Sequence, residues 1–259
     1  MEIQIKRAVK AGNSSAVILP RSWLDKEVRV ELVKKTQEII LFDVLKIIKK
    51  YIEIDGIIGI YLAGSYARGE EDENSDIDIL VITKERDREI IIEENYNILV
   101  ISEELLKQKL QLDLFPIGSM IKEARPLLNA YYLNNLEVKI TKKNVDWYIK
   151  TTEEKLKLIE KILIRFKSKK LSDRIAYTLV LRLRTLYIIE KLMKNKDYHK
   201  KDFLEIIRKA SGGENAYQSY IRVKNNEKDK QTTNINEIRG LYLSLKDRLE
   251  KIKKELKEY

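Results

Sequence analysis

The sequence predicts an α+β protein in three parts: a small β-hairpin or barrel-like module over residues 1–34, a mixed α/β sheet domain over 35–120, and an α-helical bundle over 121–259. Three observations predict it. The first part alternates apolar and polar side chains between turn signals, the pattern of short strands. From residue 35 short apolar runs interleave with helix-period segments, as in a sheet covered by helices. From about residue 121 apolar residues recur at three and four, as in amphipathic helices.

The elements follow in order. Glu2 to Val9 alternates as a strand, Gly12-Asn13 signals a turn, and Ala16 to Leu19 forms a second strand. Pro20-Arg21 opens a helical turn through Leu24, and Val28 to Val33 reads as a third strand. So few residues bury no stable core alone, so the module is expected to dimerise or dock. Val44, Leu45, Ile47, Ile48 and Tyr51 mark a short amphipathic helix. Strands are expected at Ile57–Leu62, Asp76–Thr83 and Tyr96–Ile101, with a strand or helical turn at Ile90–Ile92. Ser102 is placed to cap a helix over Glu103–Leu110. The segment 121–144 has no clear period and bridges the two larger parts. Long helices are expected over Asn144–Lys167, after Ser172, and from Ile235 to Glu258, with a shorter one over Lys201–Ala210. Asn225–Thr233 reads as a polar linker.

The richest stretch is Tyr61 to Val81, YLAGSYARGEEDENSDIDILV. An apolar strand feeds a turn at Gly64-Ser65, Arg68-Gly69 follows, and an acidic loop leads to Asp76-Ile77-Asp78 at the head of the next strand. Strand alternation sets Asp76 and Asp78 on one face, ~6.5 Å apart along the chain. Two carboxylates so placed converge on divalent cations. The glycine lets backbone approach a ligand, and Ser65 with the following N–H groups can hold phosphate oxygens. An acidic loop capping a buried strand would explain Glu70 to Glu73, but not a charge on either side of Ile77 in an apolar strand.

This stretch resembles the nucleotidyltransferase superfamily that includes DNA polymerase beta, the tRNA CCA-adding enzymes and the minimal nucleotidyltransferases. The resemblance rests on Gly64, Ser65, Arg68, Gly69, Ser75, Asp76 and Asp78. It implies that Asp76 and Asp78 bind magnesium or manganese and are catalytic. It implies that Gly64 and Ser65 hold the triphosphate of ATP or another nucleoside triphosphate. Arg68 would neutralise phosphate charge or pair with Glu70 or Asp72, and Ser75 would orient the first aspartate. The family's third carboxylate is not evident. The strand expected to carry it reads NYNILVIS, with Asn97 near the required place. Glu93, Glu94 or Glu103 could replace it, the enzyme could work slowly with two carboxylates, or the site could bind nucleotide without turnover.

The N-terminal run IKRAVKAGNSSAVILPRSWLDKEVRVELV resembles the AbrB/SpoVT swapped-hairpin family. That resemblance implies an interlaced homodimer and DNA contact by Lys6, Arg7, Lys10, Asn13 and Arg21. Such contacts would reach phosphates, which position without specifying sequence. The module could equally serve dimerisation alone.

Composition bounds the rest. Absence of cysteine excludes disulfides and thiolate metal sites. No apolar run approaches the ~20 residues of a membrane span, so a cytoplasmic protein without membrane contact is expected. Charged residues are 36% of the chain, a bias that suits a hyperthermophilic, archaeal source. The net charge of +10 is uneven: residues 35–120 carry 10 Lys/Arg against 18 Asp/Glu, and residues 121–259 carry 34 against 19. An acidic segment suits metal loading, and a basic one suits a polyanionic substrate. Arg182 and Arg184, on an apolar helix, could meet a phosphate. His199 lacks an arginine at the spacing of HEPN ribonucleases, so no RNase role is expected.

The expected function is metal-dependent transfer of a nucleoside monophosphate, AMP from ATP being favoured, to a hydroxyl of a protein, nucleic acid or small molecule. The alternative is a dimeric DNA-binding regulator whose nucleotidyltransferase fold senses nucleotide.

Overall fold

A computed structural model describes residues 4, 6, 8–31, 35–72, 75–86, 89–165 and 170–257. The chain forms two compact units, Met1–Asp43 and Val44–Tyr259.

In the first unit β1 (Ala8–Ala11) and β2 (Ser14–Val17) form an antiparallel hairpin, with Ala8 opposite Val17 and Ala11 opposite Ser14. The two-residue loop Gly12-Asn13 closes it with Gly12 at φ +61°, the positive φ that tight hairpins require. A 3₁₀ turn over Arg21–Trp23 follows Pro20. The third strand expected over Val28–Val33 is not formed at Val28–Glu31; no strand of the described chain pairs with it. Leu32 and Val33 lie outside the described residues. The described residues thus give a hairpin and not a barrel. Ile18, Leu24 and Val30 are about 70% exposed, so the hairpin has no apolar cover of its own. A two-stranded hairpin in that state is marginal in water.

Helix α1 (Gln37–Ile48) leads into the second unit, where Val44, Ile47 and Ile48 are buried. β3 (Ile57–Ala63), the short helix α2 (Gly64–Arg68), β4 (Ile77–Thr83), β5 (Glu89–Glu93) and β6 (Tyr96–Ser102) follow. Ser102 caps α3 (Glu103–Leu112), its hydroxyl accepting from the Leu105 amide at 3.2 Å. Next come α4 (Ile117–Glu123), β7 (Arg125–Leu128) and α5 (Ala130–Asn134). The five strands form one mixed sheet in the order β5-β6-β4-β3-β7. β4 runs parallel to β6, and the other neighbours are antiparallel. Central β4 is buried from Ile79 through Thr83, which explains its unbroken apolar run. The fifth strand lies beyond residue 120, so sheet and bridge segment are continuous.

The bundle contains α6 (Lys142–Arg165), the two-residue β8 (Lys170–Leu171), α7 (Asp173–Met193), α8 (Lys200–Ser211), α9 (Asn215–Lys224), the two-residue β9 (Thr233–Asn234) and α10 (Ile235–Glu255). The expected long helices are therefore present, and α9 is an element that the periodicity did not disclose. Phe166 and Lys167, counted in the first long helix, lie outside the described residues. The bundle core is built from Val145, Leu156, Leu183, Phe203, Leu241 and their neighbours. Leu110 and Val138 pack against both this core and the one beneath the sheet, which joins sheet and bundle.

One buried carboxylate ties the bundle's ends together. Asp173 is 0% exposed and accepts from Arg222 Nε at 2.9 Å, Arg222 Nη2 at 3.1 Å, Ser219 Oγ at 2.8 Å and the Lys230 amide at 3.0 Å. Burial alone would raise its pKa. The Arg222 guanidinium and these further donors outweigh burial and hold it well below the usual carboxylate range. The bond fixes α9 to the start of α7, and the polar linker becomes part of that lock. No helix among the described residues is long and apolar enough to cross a membrane.

Candidate active site

The site begins where β3 ends. Ala63 lies opposite Asp78 on β4, and the next residue, Gly64, turns the chain at φ +68°. A Cβ at Gly64 would fall 2.1 Å from Asp78 Oδ2, so only glycine fits there. The acidic strand end and the Gly-Ser turn are therefore in direct apposition. Ser65, half-buried, opens α2 beside them.

Asp78 also lies opposite Asn97 on parallel β6, and Asn97 Nδ2 donates to Asp78 Oδ1 at 3.2 Å. Burial pushes the Asp78 carboxyl above its usual pKa. The Asn97 hydrogen bond opposes that, the Asp76 charge adds to it, and the charges of Lys224 and Arg68 oppose it. Asp76 is exposed immediately before β4, so it is close enough to repel Asp78 while remaining in water. The register places Asn97 beside Asp78, where the third carboxylate was sought. Of the glutamates considered, Glu93 pairs with Lys50 and Glu103 with Lys107 and Tyr132. Glu94 stands at φ +57° in the turn between β5 and β6.

The Gly-Ser turn is held from behind by Glu123 at the end of α4. Its Oε1 accepts from the Gly64 amide at 2.9 Å, and its Oε2 accepts from Arg68 Nη1. Arg68 also donates from Nε to Glu70 Oε2 at 2.8 Å, and its guanidinium lies 5.2 Å from the Tyr198 ring centroid. Of the two roles considered for Arg68, pairing with Glu70 is therefore met, and Glu123 is the partner that spacing could not reveal. Ser75 Oγ bonds to Asp72, donating to Oδ1 at 3.0 Å and accepting from its amide at 2.9 Å, so it closes the acidic loop. Its hydroxyl therefore holds Asp72 rather than Asp76. Glu73 and Asn74 lie outside the described residues.

The bundle supplies the facing wall. Arg184 lies 5.5 Å from the same Tyr198 ring. Lys200 Nζ is 3.6 Å from Asp72, and its amide donates to Glu70 Oε1 at 3.0 Å. Tyr217 stacks on Tyr220 with centroids 5.8 Å apart. Arg182, the other arginine singled out, turns elsewhere and donates to Thr151 Oγ1 at 2.8 Å over Trp147. Exposed His199 lies 4.0 Å from Glu70. Glu123, Tyr198, Lys200 and Lys224 carried no motif and were missed.

The residues suggested for DNA contact lie in the first unit. Lys6, Lys10, Asn13 and Arg21 are exposed, and Arg7 lies outside the described residues.

The donor set fits magnesium. Asp76 and Asp78 offer hard oxygen ligands, and repulsion between them is relieved by a divalent cation. The described residues hold no cluster of three His, Cys, Asp or Glu that could bind a metal. Magnesium does not need one, because it is commonly held by one or two carboxylates completed by substrate phosphates and water.

A family model described as "Nucleotidyltransferase domain" matches residues 43–210. Among solved structures, a nucleotidyltransferase-like protein from Exiguobacterium sibiricum aligns at 16% identity and TM-score 0.39, over 82% of this chain and 75% of its own. A spectinomycin adenyltransferase from Enterococcus faecialis, solved with ATP and spectinomycin, aligns at 16% identity and TM-score 0.44, over 79% of this chain and 99% of its own. No curated protein matches the sequence.

Proposed function

The chain belongs to the nucleotidyltransferase-domain family, and from that premise we propose that it transfers a nucleoside monophosphate, AMP from ATP being favoured, to an acceptor hydroxyl in a magnesium-dependent reaction. The observation that carries the reading is the apposition of Gly64 and Asp78, which sets a carboxylate against a serine-bearing turn. Asp76 and Asp78 would hold magnesium, or manganese, which when bound supplies Lewis-acid stabilisation of phosphate charge. Ser65 orients the terminal phosphates. The acceptor oxygen attacks the α-phosphorus, the bond to the bridging oxygen breaks, and pyrophosphate leaves. Asn97 is too weak a base to take the acceptor's proton, which passes to solvent water instead, and this favours a slow enzyme working with two carboxylates.

Arg184, Lys200 and Lys224 with Tyr217 on the facing wall support an acceptor that carries negative charge or a planar ring. We further read the N-terminal hairpin as a homodimerisation module, supported by its exposed Ile18, Leu24 and Val30. DNA contact through Lys6, Lys10, Asn13 and Arg21 belongs to the second reading, a nucleotide-sensing regulator. The amide at Asn97 is the observation that favours it.

Incubation with magnesium and labelled ATP, UTP, CTP or GTP separates the two. Pyrophosphate release that is lost in Asp76→Asn and Asp78→Asn supports the transferase. Nucleotide binding with no release, together with salt-sensitive binding to duplex DNA, supports the regulator.

A further inference from the structure

A cavity of about 350 Å³ is lined by Arg68 and Glu123 but by neither of the two carboxylates. The strand order explains the separation. Asp78 and Asn97 sit toward β6, whereas the cavity opens toward β7, beside Ala124 and Arg125. Arg68 and Glu123 form the wall nearest the turn. We propose that this cavity binds a phosphomonoester with an apolar moiety, at a site separate from that of the two carboxylates.

Charge argues for the phosphate. Arg68, Lys122, Arg125, Lys191 and Lys196 line the cavity, against only Glu123 and Asp197. Glu123 is already committed to the Gly64 amide and Arg68. Lys122 donates to a neutral amide oxygen, Asn195 Oδ1, at 2.6 Å. Lys191 has Asp202 at 3.5 Å and lies over the Tyr187 ring. Arg125 and Lys196 are exposed and have no ion-pair partner among the described residues. Several convergent cations with unspent donors are the chemistry that recognises a phosphate dianion, with Arg125 able to bond two oxygens at once.

Shape argues for the rest of the molecule. Ala67, Ala124, Ile188 and Leu192 give the cavity an apolar side that a sugar or ring would cover. The volume is at the lower end of the range for small-molecule sites. Glu123 connects the two places, because one of its oxygens holds the turn and the other holds Arg68 in the cavity wall. An anion drawn to Arg68 would compete with Glu123 for that guanidinium.

The test is titration calorimetry with AMP and with inorganic phosphate, in EDTA so that no cation bridges ligand and carboxylates. The expected result is one AMP site per chain, tighter than inorganic phosphate and weakened by added salt. The double variant Arg125→Ala/Lys196→Ala should weaken AMP roughly tenfold or more, with its melting temperature unchanged because both residues are exposed. Asp76→Asn/Asp78→Asn should leave the affinity as it is. Absence of binding, equal affinity in the Arg125/Lys196 variant, or loss in the Asp76/Asp78 variant overturns the proposal. Because binding is read without metal or turnover, the result does not depend on whether the chain transfers nucleotides.

Discussion

Replacing Asn97 with aspartate puts a third carboxylate beside Asp78 with almost no change of shape. The amide now donates to Asp78 Oδ1 at 3.2 Å; Asn97→Asp removes that donor and sets a like charge in its place. Two unit charges ~4 Å apart at an effective dielectric of ~20 repel by about 4 kcal/mol. Asn97 is exposed, so water screens part of this, and a net cost of about 1–3 kcal/mol is expected in the absence of divalent cation. For a unit of this size that lowers Tm by roughly 3–10 °C in EDTA. Magnesium at ~100 times its Kd returns about 2.7 kcal/mol, so the variant should regain its stability as magnesium is added and gain more from it than the parent does. Pyrophosphate release should rise roughly tenfold or more, since a positioned general base commonly contributes 10²–10⁴. The assays are thermal melts across a magnesium titration and release of labelled pyrophosphate. A variant that melts low, ignores magnesium and transfers no faster would refute the idea that Asp78 and residue 97 face one cation.

The remaining expectations use other contacts. Gly64→Ala would force a Cβ to within 2.1 Å of Asp78 Oδ2 at φ +68°, so release should fall more than about 100-fold, with a stability cost of about 1–3 kcal/mol by urea unfolding. Glu123→Gln keeps an acceptor for the Gly64 amide but drops the charge opposite Arg68. It should therefore retain more activity than Glu123→Ala in parallel kinetics. Asp173→Ala strands Arg222 and Ser219 and should cost about 3–5 kcal/mol in a urea titration. The pH dependence follows from the same residue. Its folded pKa is depressed, so its stabilisation is full above the unfolded value of about 4 and fades as pH falls through the folded value. Melts from pH 5 down to pH 2 should decline less steeply for Asp173→Asn than for the parent.

Local chemistry made the turn and the strand end legible. Gly64, Ser65, Asp76 and Asp78 lie within fifteen residues, and strand alternation with a turn glycine is a short-range property. The same holds for the Ser172 cap, whose hydroxyl accepts from the Arg174 amide at 3.3 Å. What was not legible depends on partners far away in the chain. Glu123 reaches Gly64 across 59 positions, and Glu70 meets the Lys200 amide across 130. Neither contact leaves a periodic or spacing signal. Helix α9 hid for another reason: its mixed residues Tyr217, Ser219, Tyr220 and Arg222 serve Asp173 and a tyrosine stack, so they show no plain apolar stripe. The third strand of the first unit illustrates the opposite error. Alternation at Val28 and Val30 states that a segment can pair, and pairing also requires an available edge.

The same distinction bears on Asn97. Its place was read from the strand, but its meaning depends on parallel β6 setting it against Asp78. In an ion-free protein an amide there is the stabilising choice, because it donates to a carboxylate that burial and Asp76 already disfavour. A third carboxylate pays off only when a cation is resident. On the proposed reading, the site keeps its stability without metal and forgoes a base. Such a site should bind the metal together with the triphosphate, whose oxygens complete the shell that two aspartates leave open. Magnesium affinity measured by calorimetry should then be weak for the protein alone and strengthen when a non-hydrolysable ATP analogue is present. Equal affinity in both titrations would mean that the protein supplies the whole shell itself, and the two-carboxylate account would fall.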